Sequence, residues 1–514
     1  MFYFVNHFRS FVNRVLWGEV SSPSLFSEIK NAAQPVHFVN FGLLGGNVAF
    51  INPQELNMAQ LLDTLDAQPQ GRQGEMGLRF FVGGNFISTR AKDDEDYTAL
   101  SHHYLLSGLL SRPAAFIENT QQSLHLYLDK QHQQSVSLLE LATTPLRNSL
   151  ARGLFDIEQI PPNLHQALQG FSDLVQDKLE SFGKTLSVKL MTAYYSWLFY
   201  FIPQYQQAKQ NYLAASEEFL AEQANAIIAH FQELKHDNQK TLFNITNALA
   251  RFIAQRVKET SPALDAAELL DYLSCMTAED LQPYLQEAYI KTLPVLPLPG
   301  DMIVIPACSA MTELAQNKTL LLELRSELEK RNFKNKTAEE RREDILQDKH
   351  NNGLLHRIFL EALRRDFQQK KPADLEAETV ILRYCEHGIN LKNQSNEQIA
   401  QIPPKTMIAI LNALPRFDPK IWPEPERFDP SRFENDENKT REKTVLTIFS
   451  YGKRRCPANL ITEFIFQTFI AELVMNYDIG LIHGDDLKQA EIKLQPLVAS
   501  ADLELEGDRL MTEI

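Results

Sequence analysis

A single cysteine near the C-terminus stands in a sequence that could present its sulfur to a metal. The segment reads Phe449-Ser-Tyr-Gly-Lys-Arg-Arg-Cys456 and is followed by Pro457. Gly452 permits a turn that residues with a Cβ avoid, and Arg454 offers a planar cation to a carboxylate. Proline is tolerated in the first turn of a helix. Cys456 is therefore expected at a helix start, where backbone amides stabilise a thiolate. A buried free cysteine is the alternative interpretation.

A second set of residues can form charged contacts inside the protein. Glu361 and Arg364 lie three positions apart in the amphipathic stretch 353–364, so their side chains can meet on one helix face. Arg432 follows in a proline-rich segment. An arginine can bind a carboxylate through two parallel hydrogen bonds, which makes the pair rigid. Taken alone, a Glu-x-x-Arg spacing usually marks an exposed surface pair, so its meaning depends on its surroundings.

The elements that must position these residues are predicted to be mostly helical. Between residues 97 and 290, apolar residues recur at spacings of three and four, with few glycines. Helices are predicted over 265–273 and 277–289. Short strands are predicted for a hairpin within 36–53 and again over 378–433. The sequence therefore predicts a mainly α fold with a minor β-sheet.

Composition and charge narrow the class of protein. The chain has 514 residues, with 51 Lys and Arg against 66 Asp and Glu, for a formal net charge of −15. An acidic protein lacks the basic surface that nucleic acid requires. Its 4 cysteines show no paired spacing, which favours reduced thiols inside the cell. No stretch offers the roughly 20 apolar residues that span a bilayer, and we expect a cytoplasmic protein.

Residues 1–30 have a character of their own. Large apolar residues recur there at helical spacing, Arg9 and Arg14 fall off that apolar face, and no acid precedes Glu19. The pattern suits a helix that makes peripheral contact with a membrane, and it also resembles an organelle presequence. The third interpretation is an ordinary amphipathic helix packed on the protein. The sequence leaves these three open.

The cysteine segment resembles the haem-binding loop of the cytochrome P450 family, which reads Phe-x-x-Gly-x-Arg-x-Cys-x-Gly. Phe449, Gly452, Arg454 and Cys456 match this pattern, and Ala458 replaces the last glycine. The order of the other motifs is similar as well, because a Glu-x-x-Arg helix precedes a segment like the family's Pro-Glu-Arg-Phe motif.

This resemblance implies one large P450-like haem domain over 31–514, preceded by the segment 1–30. The cofactor would be haem b, with Cys456 as its thiolate ligand, and a thiolate pushes electron density to the iron and favours O–O cleavage. Phe449 and Gly452 would shape the cofactor site beside the cysteine.

The resemblance also implies roles for charged residues around the cofactor. Arg454, Arg383 and His102 would contact the two haem carboxylates, although His102 stands one place beyond the position where the family carries an arginine. For His102, an exposed place on a helix surface is the alternative. Three further side chains would form a structural charged cluster that fixes the segment leading to the cysteine: Glu361, Arg364 and Arg432.

The oxygen-activating side departs from the family pattern. Asp301 falls at the position of the family's proton-delivering acid, a general-acid role, and Met302 replaces the alcohol next to it. Several prolines between 294 and 306 predict a break or kink near Gly300. The alternative is that this stretch is only a loop between two helices.

The function implied is that of a haem-thiolate monooxygenase, inserting one oxygen atom from O2 into an apolar small molecule. A separate electron donor, a ferredoxin or a reductase, would dock on the basic residues from Lys439 to Arg455, unless these serve only solubility. Because Met302 has no proton to give, two other hypotheses stay open. One is an enzyme that uses or isomerises peroxides, and the other is a haem-binding protein of this fold without oxygenase activity.

Overall fold

Helices dominate the structure, a computed structural model. It describes residues 35–40, 47–53, 56–68, 112–131, 135–167, 170, 203–236, 247–292, 297–365, 380–411, 414–434, 439–451, 455–456, 458–483 and 490–497. The helices are α1 (Met58–Asp66), α2 (Pro113–Leu128), α3 (Leu138–Phe155), α4 (Pro203–His236), α5 (Ala248–Thr260), α6 (Ala266–Ser274), α7 (Ala278–Thr292), α8 (Pro297–Gln316), α9 (Lys318–Lys330), α10 (Ala338–His350), α11 (Leu354–Arg365), α12 (Leu414–Phe417), α13 (Lys439–Leu446) and α14 (Asn459–Asn476). The strands are β1 (Val36–Asn40), β2 (Asn47–Ile51), β3 (Ser135–Ser137), β4 (Val380–Cys385), β5 (Ile389–Lys392), β6 (Gln398–Ile402), β7 (Thr406–Leu411), β8 (Tyr477–His483) and β9 (Glu491–Pro496). The predicted mainly α fold with a minor β-sheet is confirmed.

The largest sheet joins the beginning of the chain to its second half. Its strand order is β1-β2-β7-β4. The strands β1 and β2 are antiparallel, with Val36 opposite Ile51, which confirms the predicted hairpin. The strand β7 is buried along its whole length and pairs with β2 in parallel and with β4 antiparallel. Two smaller sheets have the orders β3-β9-β8 and β5-β6.

The core is built around α8 and α14. Along α14 every residue from Ile461 to Val474 is buried, as expected for a helix with apolar residues on all sides, although Glu463 and Glu472 are buried with them. It packs against α2, α9 and α11, while α8 lies against α3, α11 and α14. The rings of Phe359 on α11 and Phe466 on α14 are 5.1 Å apart. The helix α11, which carries Glu361 and Arg364, and the helix α14, which follows Cys456, therefore share one core.

Two helices that were predicted from apolar spacing begin at capping residues. Before α6, Asp265 accepts hydrogen bonds from the amides of Ala267 and Glu268, and the Glu268 carboxylate accepts one from the amide of Asp265. Before α7, Thr277 and Asp280 make the equivalent contacts. Such capping boxes satisfy the orphan amides of a first turn. The helices predicted over 265–273 and 277–289 are confirmed, with ends shifted by a few residues.

The predicted break near Gly300 is wrong, because α8 runs as one helix across Gly300 and Pro306. The prolines at 297 and 299 lie in its first turn, where the backbone amide has no partner within the helix in any case. Pro306 removes one hydrogen bond from the interior of the helix. Ala307 and Met311 beyond it are fully buried, and such tertiary packing stabilises a helix that local propensity would interrupt.

The segment 1–30, with its three interpretations, lies outside the described residues. Among the helices that are described, none is long and apolar enough to cross a membrane.

Candidate haem-thiolate site

Cys456 lies in a closed turn just before α14. A short 3-10 helix, Thr447–Phe449, leads into Ser450, whose φ of 67° reverses the chain. The amide of Cys456 then donates to the carbonyl oxygen of Phe449 across 2.8 Å, which closes the loop. The side chain is half-buried and packs against the main core. The cysteine is thus held between the core and the surface at the start of α14.

The electrostatics of the thiol combine burial with a hydrogen bond from the helix start. Burial raises the pKa of Cys456, while the backbone amide of Ala458 and the charge of Arg455 act in the opposite direction. Ala458 is the N-cap of α14, so its amide belongs to the end of the helix that stabilises negative charge. A sulfur that accepts an amide hydrogen bond is a suitable donor for iron.

The structure brings Glu361, Arg364 and Arg432 together in the interior. The guanidinium of Arg364 binds Glu361 through two bonds, Nε to Oε2 at 2.7 Å and Nη2 to Oε1 at 2.8 Å. Arg432 Nε lies 3.5 Å from Glu361 Oε1. Glu361 and Arg364 are completely buried. The pair is therefore the desolvated, bidentate kind and not the exposed surface pair.

The same cluster holds the segment between β7 and α13. Arg432 donates to the carbonyl oxygens of Pro423 at 2.5 Å and Glu424 at 2.8 Å, and Glu361 accepts from the amide of Asp429 at 2.8 Å. Arg364 donates to the carbonyl oxygen of Arg416 at 3.1 Å. The backbone carbonyl and amide groups of this irregular segment thus find hydrogen-bond partners in charged side chains. Buried backbone groups need such partners because water cannot reach them.

Two residues in this region escaped the sequence analysis. The ring of Trp422 lies 5.2 Å from the Arg364 guanidinium and its Nε1 donates to Pro415 O at 2.7 Å. Arg416 is buried and donates to the carbonyl oxygen of Leu363 at 2.9 Å. Trp422 lies in the motif segment and its type alone could have drawn attention. Arg416 offered no such signal in the sequence, because the carbonyl oxygen that it binds lies 53 positions away, near the end of α11.

Arg383, predicted to contact a haem carboxylate, is paired within the protein. It is buried on β4, and its Nε donates to Asp66 Oδ1 at the end of α1 across 2.6 Å. Next to Asp66, the Gln68 side chain accepts hydrogen bonds from the amides of Glu386 and His387 at 2.6 and 3.3 Å. The end of α1 is therefore fastened to the end of β4.

The structure describes only part of the predicted site. Gly452, Arg454 and His102 lie outside the described residues, and of Asp301 only the backbone is described, within α8. Phe449 is buried at the start of the loop. The described part of the site is thus the cysteine turn, the charged cluster and the β4 arginine.

Comparisons with known proteins find a family similarity for part of the sequence. The family model for cytochrome P450 matches residues 306–504. Among solved structures, the retinoic acid bound cyanobacterial CYP120A1 aligns with 94% of this chain and 96% of its own, at a TM-score of 0.59 and 17% identity. Residues 306–504 therefore match the cytochrome P450 family, and the fold of the chain resembles that of a solved P450.

Curated P450 proteins resemble only part of the chain. Cytochrome P450 monooxygenase sttB of Aspergillus terreus is 34% identical over 119 residues, which is 20% of this chain and 22% of that protein. Cytochrome P450 monooxygenase roqO of Penicillium rubens is 27% identical over 154 residues, 28% of this chain and 29% of that protein. Fumitremorgin C monooxygenase of Neosartorya fischeri is 27% identical over 144 residues, 26% and 27% of the two. The chain covers less than a third of the length of each of these P450 relatives.

Haem is the cofactor of P450 proteins, and the described residues fit it. The half-buried Cys456 sulfur, supported by the Ala458 amide, is a donor of the type that a haem-thiolate iron requires. The family match begins at Pro306, so it does not extend to Asp301 or to His102. The family similarity therefore supports the part of the site around Cys456 and not the part around Asp301 and His102.

Proposed function

We propose that this protein is a haem-thiolate monooxygenase that inserts one oxygen atom from O2 into an apolar small molecule, with haem b as the cofactor. The observation that carries the proposal is the position of Cys456 at the start of a buried helix, where its backbone amide donates to the Phe449 carbonyl oxygen and its sulfur accepts a hydrogen bond from the Ala458 amide. Three P450 relatives with monooxygenase names support the reaction class. We further propose that a separate ferredoxin or reductase donates the electrons. We also propose that this protein is cytoplasmic and that its first 30 residues can contact a membrane.

The residues of this chain would divide the work as follows. Cys456 would ligate the iron, which supplies the oxygen-activating chemistry when haem is bound. The cluster of Glu361, Arg364 and Arg432 would keep the segment before the loop in place. Arg383, Arg454 and His102 are proposed for the haem carboxylates, with the Asp66 carboxylate orienting the first of these cations.

The proposal is tested by the absorption of the reduced protein under carbon monoxide. A thiolate-ligated iron gives a Soret band shifted well to the red of the imidazole-ligated or thiol-ligated form. We expect that band in the wild type and its loss in Cys456→Ser. The matched control is Cys308→Ser, because Cys308 is fully buried on α8, where its Sγ lies 3.7 Å from the carbonyl oxygen of Leu138. A shifted band that survives Cys456→Ser would refute the assignment.

A peroxide-dependent reaction is the second candidate function, and Met302 favours it. The residue next to Asp301 carries no hydroxyl group, so a proton relay of acid and alcohol cannot be formed by this pair. The comparison is product formation from O2 with a reductase against product formation from hydrogen peroxide. A monooxygenase should lose most of its rate in Asp301→Asn when O2 is the oxidant. Turnover from peroxide alone that is indifferent to Asp301→Asn would favour the second candidate, and binding without product would favour a haem protein that lacks oxygenase activity.

A further inference from the structure

A buried histidine lies between the two helices that flank the cysteine loop. His356 is on α11, and its side chain is 3% exposed. Its Nδ1 lies 2.6 Å from Glu463 Oε1 on α14, the helix that follows Cys456. Its Nε2 lies 3.9 Å from Glu442 Oε1 on α13, the helix that leads into the loop. One imidazole ring therefore faces a carboxylate on each side of the loop.

The Glu463 carboxylate and the backbone of His356 have further hydrogen-bond partners. Lys349, near the end of α10, donates to the second oxygen of Glu463 at 2.6 Å, and Gln467 donates to Oε1 at 3.0 Å. The amide of His356 donates to Asp348 Oδ2 at 2.8 Å. Three helices thus converge on the buried Glu463 carboxylate. Charge-assisted hydrogen bonds of this kind are short and geometrically specific.

The charge state of Glu463 follows from these partners. Burial raises its pKa, but the hydrogen bond and charge of His356, together with those of Lys349, outweigh burial and leave the pKa below its usual value. Glu463 is thus an ionised group in the interior, and its energy depends strongly on where its partners lie.

A second buried carboxylate on the same helix provides a comparison. Glu472, at the far end of α14, binds Arg341 on α10 and lies 3.2 Å from His125 on α2. It is about as buried as Glu463. None of its contacts reaches α11 or α13. Of these two carboxylates, Glu463 is the one that contacts α11, the helix that carries Glu361 and Arg364 of the charged cluster.

The position of the sulfur depends on both flanks of the loop. The Phe449 carbonyl holds the amide of Cys456 from one side, and the Ala458 amide holds the sulfur from the other. A relative shift of α13 and α14 by about 1 Å would loosen both contacts, and a functional site must be held to within about 0.5 Å.

We propose that His356 is a positioning residue for the Cys456 thiolate, because from α11 it makes a short hydrogen bond to Glu463 on α14 and lies within 3.9 Å of Glu442 on α13. The inference rests on the proposed function, since the thiolate matters only if it ligates haem. It concerns the geometry of the loop and not the oxidation reaction itself.

The test compares the urea concentration at which thiolate ligation is lost with the urea concentration at which the helices unfold. His356→Gln and Glu463→Gln are titrated with urea beside Glu472→Gln, following the thiolate-type carbon monoxide band and the helical circular dichroism together. In the first two variants we expect the band to be lost at clearly lower urea than the helical signal. In Glu472→Gln both signals should move together. The double variant His356→Gln/Glu463→Gln should lose the band no earlier than the worse single variant, because both act through one contact.

A second measurement needs no haem. In a Cys275→Ser background, which removes the exposed thiol, the haem-free protein is treated with a thiol reagent. Labelling of Cys456 should be several-fold faster in His356→Gln than in the Glu472→Gln control. If His356→Gln does not fold, Glu442→Gln is tested in its place, and faster labelling of Cys456 is again expected. The Glu442 side chain is 33% exposed, so this substitution disturbs the core less.

The outcomes separate the two proposals. Absence of the thiolate band in the wild type overturns the proposed function, while faster Cys456 labelling would still support the positioning role. A wild-type band with His356→Gln behaving like Glu472→Gln in both measurements overturns the positioning role alone.

Discussion

At the scale of single residues, Glu361 has the most demanding surroundings in the site. It is completely buried and accepts two hydrogen bonds from Arg364 and one from the amide of Asp429. Arg364 in turn lies beneath the rings of Trp422 and Phe417, at 5.2 and 5.8 Å. A buried cation surrounded in this way has no solvent to replace a missing carboxylate.

We expect Glu361→Gln to unfold far more easily than the wild type and to retain little haem. Removing one partner leaves the buried charge of Arg364 uncompensated, which costs about 3–5 kcal/mol. Urea unfolding of the haem-free protein and haem content after purification measure the two effects. The control is Glu424→Gln, whose exposed pair with Arg427 spans 3.4 Å and should change the free energy of unfolding by less than about 1 kcal/mol. A stable, haem-loaded Glu361→Gln protein would contradict the prediction.

At the scale of elements, α14 is the clearest case of a helix whose polar residues depend on its neighbours. Glu463 and Glu472 interrupt a buried apolar surface, and each is matched by a cation from α10, Lys349 or Arg341. Burial raises the pKa of Glu472, but the hydrogen bonds of His125 and Arg341 and the charge of Arg341 outweigh it and lower the pKa to about 2. The attachment of α14 to α2 and α10 therefore depends on pH.

We expect the wild type to lose stability relative to Glu472→Gln as the pH falls from about 4.5 to 2. A depressed pKa means that the stabilisation is present above the unfolded value of 4.5 and is lost as the pH falls through the folded value. The contribution is about 3 kcal/mol at most. Urea titrations at several pH values measure the difference, with Glu329→Gln on the surface of α9 as control. Stability curves of wild type and Glu472→Gln that stay parallel over this range would rule the effect out.

The partner of Glu472 titrates in the opposite sense. The hydrogen bond to Glu472 is the main cause of the raised pKa of His125. A raised pKa stabilises the fold below the unfolded value of 6.5, and the effect fades as the pH rises through the folded value. Because the His125 side chain is 53% exposed, solvent screening makes this contribution the smaller one.

At the scale of the whole molecule, a net charge of −15 makes the basic residues near the loop a local exception. The structure divides them into two kinds. Arg441 donates to the carbonyl oxygen of Arg432 at 3.0 Å and lies 5.7 Å from the Trp422 ring, so it serves the fold. Lys443 and Arg455 are exposed. These two are the described residues that could meet an acidic electron donor.

We expect Lys443→Gln/Arg455→Gln to slow reduction by an acidic ferredoxin or reductase several-fold at low salt, with unchanged haem content. Electrostatic complementarity acts mainly on the association rate, and added salt screens it. Stopped-flow reduction at several salt concentrations measures the effect. The control is Lys235→Gln on α4, a helix that packs against α6 and α7. Reduction kinetics that do not change would remove the docking hypothesis.

The sequence by itself determined the features that depend on near neighbours in the chain. The spacing from Phe449 to Cys456, the i, i+3 pair of Glu361 and Arg364, and the apolar periodicity over 265–273 are local patterns, and local patterns constrain local conformation directly. The order of these motifs was enough to indicate the fold.

Only the tertiary structure decided which distant groups meet. Asp66 and Arg383 are 317 positions apart, and His356 and Glu463 are 107 apart. The continuity of α8 across Pro306 likewise comes from burial against other helices. The physical reason is the same in each case. Burial removes water from a polar group, and the partner that replaces the water is chosen by packing of whole elements, which spacing along the chain does not record.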